Sequence, residues 1–116
     1  MAKSKNILDL EMTRGDTKAF GVNISGLTDQ DLDTAYLSCR ETPDSDEYVF
    51  QKSLGDGISK VETGKYRARI APEDTAELDT GTYYYDLEIG VNSDIFTILK
   101  GKLKITYDVT REAQDE

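Results

Sequence analysis

Apolar residues in this chain recur at every second position over short runs, and no stretch keeps them at helical spacing for three turns. Strict alternation turns one side of an extended segment towards a core and the other towards water, so strands are the expected element throughout. Leu8, Leu10 and Met12 share a face in a first segment, Ile7 to Met12, which ends at Arg14-Gly15-Asp16. A second, Thr17 to Ile24, groups Phe20, Val22 and Ile24 and ends at Ser25-Gly26. Ala35, Leu37 and Cys39 alternate in Thr34 to Glu41, and Pro43-Asp44-Ser45-Asp46 stops that run. Tyr48 to Ser53 follows, then a short strand Ile58 to Val61 after Gly55-Asp56-Gly57. In Lys65 to Ala71 the division is clear, with Tyr66, Ala68 and Ile70 on one face and Lys65, Arg67 and Arg69 on the other.

Pro72 to Leu78 predicts a single helical turn, because proline suits the first helical position and Glu73 and Asp74 sit at the positive end of the dipole. Thr82 to Ile89 then alternates Tyr83, Tyr85, Leu87 and Ile89 against Tyr84, Asp86 and Glu88, and Gly90 to Asp94 predicts a hairpin turn. Ile95 to Leu99 and Leu103 to Tyr107 make one long final strand, interrupted near Gly101 by a bulge or a change of partner. Seven to nine short strands separated by turn signals at intervals of about ten residues are the pattern of an antiparallel β-sandwich. The expected fold class is therefore all-β with one short helical turn. A chain of 116 residues is long enough to bury one core and too short for two, so residues 1–116 are expected to form one domain, with a core over about 7–109 and a frayed tail over 110–116. There is no internal repeat.

The stretch Asp79-Thr80-Gly81-Thr82-Tyr83-Tyr84-Tyr85 resembles the Asp-x-Gly-x-Tyr-x-Cys signature at the corner leading into strand F of immunoglobulin domains, with Tyr85 where the cysteine would stand. Gly81 permits a sharp turn, and Tyr83 can bury its ring while its hydroxyl bonds back to the preceding backbone. The resemblance implies an immunoglobulin-like sandwich in which Asp79, Gly81, Tyr83 and Tyr85 are architectural. A tyrosine-rich strand that merely follows an Asp-Thr-Gly turn is the alternative.

A second resemblance runs through roughly residues 8 to 110. It rests on Gly15-Asp16-Thr17, on Phe50-Gln51-Lys52-Ser53-Leu54-Gly55-Asp56-Gly57, and on Gly64-Lys65-Tyr66 leading to Ile70-Ala71-Pro72-Glu73-Asp74-Thr75. Leu78 to Leu87, Gly101-Lys102-Leu103 and Asp108-Val109-Thr110 complete it. In these residues, taken in order, the chain is similar to immunoglobulin-like proteins encoded among bacteriophage and prophage tail and baseplate genes, akin to the amino-terminal domain of baseplate upper proteins. Such proteins carry further domains after this one, whereas this sequence stops at Glu116. The resemblance implies a virion or phage-like particle as the working location, with synthesis in the bacterial cytoplasm and other particle proteins as partners.

Composition narrows the chemistry. The formal charge of −9 repels nucleic-acid phosphates and anionic membranes, so direct contact with either is not expected. The amino end is not followed by a long apolar run, so neither a signal peptide nor a membrane span is expected. Without histidine, and with Cys39 alone on an inward face, neither a Ser-His-Asp nor a Cys-His arrangement can be assembled, and no enzyme is expected. No cofactor and no metal are expected. Asp29-Gln30-Asp31-Leu32-Asp33 has the alternate acids of a calcium loop but Thr34 where the glycine belongs, and reads as a solvated loop, as does Asp44, Asp46 and Glu47. Cys39 reads as a small buried hydrophobe.

What remains is binding. A structural or protein-binding component of a particle, homo- or hetero-oligomeric, is the first expectation, with Leu8, Leu10, Leu103 and Ile105 on the first and last strands as candidate interface residues beside Lys102 and Lys104. Two other classes stay open: a carbohydrate-binding or adhesin module using Tyr36, Tyr48 and Tyr84, and an acidic inhibitor imitating nucleic acid.

Overall fold

The computed structural model describes residues 6–24 and 31–107. Nine strands and one helical turn follow in chain order: β1 (Asn6–Ile7), β2 (Leu10–Thr13), β3 (Lys18–Asn23), β4 (Thr34–Arg40), β5 (Phe50–Leu54), β6 (Gly57–Glu62), β7 (Lys65–Ile70), α1 (Pro72–Thr75), β8 (Gly81–Val91) and β9 (Asp94–Thr106). The hydrogen-bonded order is β1-β9-β8-β4-β5-β6-β7-β3, with β2 also on β9. One layer is β3-β7-β6 and the other is β5-β4-β8-β9 extended by β1 and β2. The layers join through a short parallel ladder, Ser53 to Gly57 and Leu54 to Ile58. The pairing of the second long segment with the seventh, and the opening segment split onto the last strand, is the strand order of an immunoglobulin-like sandwich.

Alternation decides which side chains meet between the layers. Tyr66, Ala68 and Ile70 of β7 and Ile58 of β6 pack against Ala35, Leu37 and Cys39 of β4, Tyr83, Tyr85, Leu87 and Ile89 of β8, and Leu99, Leu103 and Ile105 of β9 in one buried cluster. Phe20, Val22 and Ile24 pack at its margin, half-buried, because β3 is an edge strand.

Three expectations change. The sheet is mixed, since β1 and β2 run parallel to β9, and β5 runs parallel to β6. The last strand is continuous through Gly101, and the register shift falls elsewhere: Leu87 faces Leu99 while Glu88 faces Thr97, which leaves Ile98 as the extra residue. Of the two alternatives expected near Gly101 the change of partner is the one found, from β1 at Leu99 and Lys100 to β2 from Leu103 onward. A Cβ at Gly101 would collide with the Leu8 carbonyl, so the missing side chain is what lets the opening segment cross there. The Asp9 carboxylate takes over the ladder by accepting the Lys102 N–H at 3.0 Å. Finally, Tyr48 precedes β5 and does not begin it. Residues 25–30, which include part of the expected acidic loop, and the expected frayed tail at 110–116 lie outside the described residues.

The connector after β7 is held at both ends. Asp74 accepts the Ala71 N–H at 2.7 Å and pairs with Lys52 at 3.0 Å, both side chains being largely shielded. Thr75 is wholly buried and accepts the Gly15 N–H at 2.8 Å.

Candidate binding surface

The corner residues come together as a structural unit. Gly81 has a φ of 147°, in the region that disfavours other residues, and it starts β8. Two residues later the buried Tyr83 donates its hydroxyl to the Asp79 carbonyl at 2.7 Å. Burial pushes the Tyr83 hydroxyl's pKa up, and the Asp79 carboxylate adds to the shift. Tyr85, at the position of the absent cysteine, donates to the Leu8 carbonyl at 2.5 Å.

The four candidate interface residues divide. Leu8 is 43% exposed and Leu10 is half-buried, but Leu103 and Ile105 are each 1% exposed and belong to the core. The reason is topological: β9 is not an edge, because β8 covers one side of it and β1 and β2 the other, so the alternation of Leu103 and Ile105 serves the sandwich interior. Lys102 and Lys104 are the wet partners of those core residues, and they flank no edge formed by the last strand.

One free surface is the outer face of β4, β8 and β9. Arg40 lies opposite Tyr84, and Tyr84 opposite Lys102, which makes one cross-strand row. The next row, two residues along each strand and about 7 Å away, is Ser38, Asp86 and Lys100, with Ile7 of β1 beyond it. These rows, together with Pro43 and Gly101, line an open concavity of about 480 Å³. Arg40 also lies over the Tyr48 ring, 4.7 Å from its centre. Sequence alternation already placed Tyr84 and Asp86 opposite the inward face of β8, and Ser38 and Arg40 opposite Ala35, Leu37 and Cys39. It carried no register between strands some forty residues apart, so the rows themselves were not visible in it.

Of the proposed aromatic platform, Tyr36 and Tyr84 do share this face, but they are four positions apart along the strands, about 13 Å. One face of the Tyr48 ring is covered by Arg40. The three rings therefore do not form one stacking surface. Of the acidic loop, Asp31 pairs with Lys60 at 2.6 Å and Asp33 accepts the Asn92 N–H at 3.0 Å, so both described acids are engaged within the fold. Among the described residues no group of three or more histidine, cysteine, aspartate or glutamate side chains is placed to hold a metal ion. Burial pushes the Cys39 thiol's pKa up to about 12, which keeps it protonated and unreactive at neutral pH. No helix among the described residues is long and apolar enough to cross a membrane.

No family model matches the chain, and no curated protein matches it in sequence. Among solved structures, the extracellular domain of the voltage-gated sodium channel beta4 subunit, described as forming parallel homodimers that explain its role in cell–cell adhesion, superposes with a TM-score of 0.49 at 10% identity, over 93% of this chain and 98% of that one. The strand order, and not this distant likeness, carries the assignment of the fold.

Proposed function

We propose that the chain is a non-enzymatic, protein-binding immunoglobulin-like domain and that its place of work is a multi-subunit bacteriophage or prophage particle. The observation that carries the binding reading is the outer face of β4, β8 and β9, where a concavity lined by Arg40, Tyr84, Asp86, Lys100 and Lys102 opens beside an exposed Ile7. Tyrosine and arginine are the side chains most often found at the energetic centre of protein interfaces. The particle reading is supported by the ordered resemblance of residues 8 to 110 and by nothing else. The non-enzymatic reading is supported by the absence of histidine from the sequence and by the buried, protonated Cys39.

The acidic-inhibitor reading is weakened by the distribution of cations. Arg40, Lys100 and Lys102 interrupt one face, and Lys65, Arg67 and Arg69 form an exposed row on the other, so neither face presents a continuous acidic stripe. The test is mass spectrometry of purified virions or tail-like particles from the source strain. The chain should be present there at stoichiometric level. Its absence, with tight binding to a nuclease in solution, would establish the inhibitor instead.

A further inference from the structure

We infer that two copies of this chain pair through the outer face of β4, β8 and β9 about a two-fold axis, the acidic loop after β4 of each copy seating against Arg40, Lys100 and Lys102 of the other. The inference deepens the protein-binding reading above and rests on it. It starts from a juxtaposition that the net charge conceals. The chain is strongly acidic, yet Arg40, Lys100 and Lys102 converge on one concavity, and none of the three makes an ion pair among the described residues. Two carboxylates share the site. Asp9 is engaged with the Lys102 backbone N–H, and Asp86 stands opposite Lys100, so the concavity stays cationic by one charge.

Directly beside it lies the opposite charge. The loop that leaves β4 at Arg40 carries Asp44, Asp46 and Glu47, all exposed and none in an ion pair among the described residues, and its Pro43 forms one wall of the concavity. The loop is built, not loose. Ser45 N–H donates to the Thr42 carbonyl at 3.1 Å, Ser45 Oγ donates to the Glu47 carbonyl at 3.2 Å, and Val49 N–H donates to the Cys39 carbonyl at 2.7 Å. The Arg40 guanidinium over the Tyr48 ring ties the far end of the loop back to the sheet. The acids are thus presented in a fixed position next to the cations, but they are not turned onto them.

A surface with a cationic hollow and an anionic ridge side by side is complementary to itself after a half-turn. A two-fold contact satisfies both halves at once, whereas a head-to-tail contact would leave a ridge free at one end of the assembly and a hollow at the other, and would keep growing unless it closed into a ring. Tyr84, in the row between Arg40 and Lys102, lies near the axis in this arrangement, where an aromatic ring gives most contact area. Ile7, 72% exposed at the rim beyond Lys100, adds apolar area. A stable contact of standard size buries roughly 800 Å² from each copy, about a tenth of the 7444 Å² available.

The test is analytical ultracentrifugation of the full chain with two double variants, Lys100→Glu with Lys102→Glu and Asp44→Lys with Asp46→Lys. All four positions are exposed, so folding is expected to survive, and circular dichroism and thermal unfolding verify it. The wild-type chain should sediment as a monomer–dimer equilibrium, and each variant alone should dissociate at least tenfold more readily. An equimolar mixture of the two should re-form a dimer, because both contacts are then between opposite charges. A wild-type chain that stays monomeric overturns the inference, as do variants that dimerise like wild type, a mixture that stays monomeric, or species that grow beyond two. If either double variant fails to fold, Lys102→Glu and Asp46→Lys are compared in its place under the same criteria. A monomeric chain found in particles sinks only this inference, and a dimer absent from particles sinks only the particle reading.

Discussion

The hydroxyl of Tyr85 on β8 donates to the carbonyl of Leu8, seventy-seven positions earlier in the chain, and so fastens the break between β1 and β2 to β8 across β9 within one layer. In an immunoglobulin domain with a disulfide this position would be a half-cystine. Here it anchors the opening segment by a hydrogen bond. Tyr85→Phe should lower stability by about 1 kcal/mol and selectively speed amide exchange at Leu8, whose N–H donates to the Lys100 carbonyl at 2.9 Å. Unchanged exchange at Leu8 would mean that the bond does not hold the segment.

The same residue shapes the alkaline limit. Burial pushes the Tyr85 hydroxyl up to about 12 from 10.0, and the Cys39 thiol up to about 12 from 9.0. Both groups are neutral when protonated, so between the unfolded and folded values the unfolded chain holds fewer protons, and stability falls as pH rises. The loss should begin near pH 9 through Cys39 and steepen above pH 10 through Tyr85. Urea denaturation across this range should show the decline, and Cys39→Ala should remove its first part. A flat profile up to pH 12 would refute the burial of both groups.

Gly101→Ala isolates the change of partner on β9. The added methyl would meet the Leu8 carbonyl and carbon and approach the Asp9 carboxylate, both held in place by hydrogen bonds. Neither neighbour is the loose end of a flexible side chain, so the segment must shift, at about 1–3 kcal/mol by chemical denaturation. Neutral behaviour would show that the opening segment is not held where the structure places it.

Much of this fold was legible because alternation is a local property. The inward sets of β4, β7 and β8 follow from period two alone, and the turn chemistry of Asp79 to Tyr83 fixed one corner. What was not legible depends on pairing. The same alternation in Leu103 and Ile105 fits an edge strand or a covered one, and only the arrival of β1 and β2 from the other end of the chain distinguishes them. The concavity is hidden for the same reason. Arg40, Tyr84 and Lys102 each sit on a wet face, and nothing in their local sequence says that they are neighbours.

Leu103→Ala tests that correction. A residue this buried should cost about 2–5 kcal/mol on truncation, while any self-association of the folded chain is left unchanged. An altered oligomeric state at full stability would return Leu103 to the interface.

Thr75→Val probes a joint between two segments that read as independent turns in the sequence. The Arg14-Gly15-Asp16 turn at the end of β2 docks on the connector after β7: Gly15 N–H donates to Thr75 Oγ1 at 2.8 Å, and Arg14 Nη1 donates to the Leu78 carbonyl at 3.2 Å. Thr75 is 0% exposed, so its hydroxyl has no water to fall back on, and valine fills the same volume without an acceptor. The Gly15 N–H is then left unsatisfied, which costs about 1–3 kcal/mol, more than the hydrogen bond itself contributes net. Proton exchange at the Gly15 amide should accelerate in Thr75→Val and stay slow in Thr75→Ser, which keeps the oxygen and loses only a methyl. If serine accelerates exchange as much as valine does, the side chain acts by packing and not as an acceptor. The joint between the turn and the connector would then have to rest on Arg14 alone.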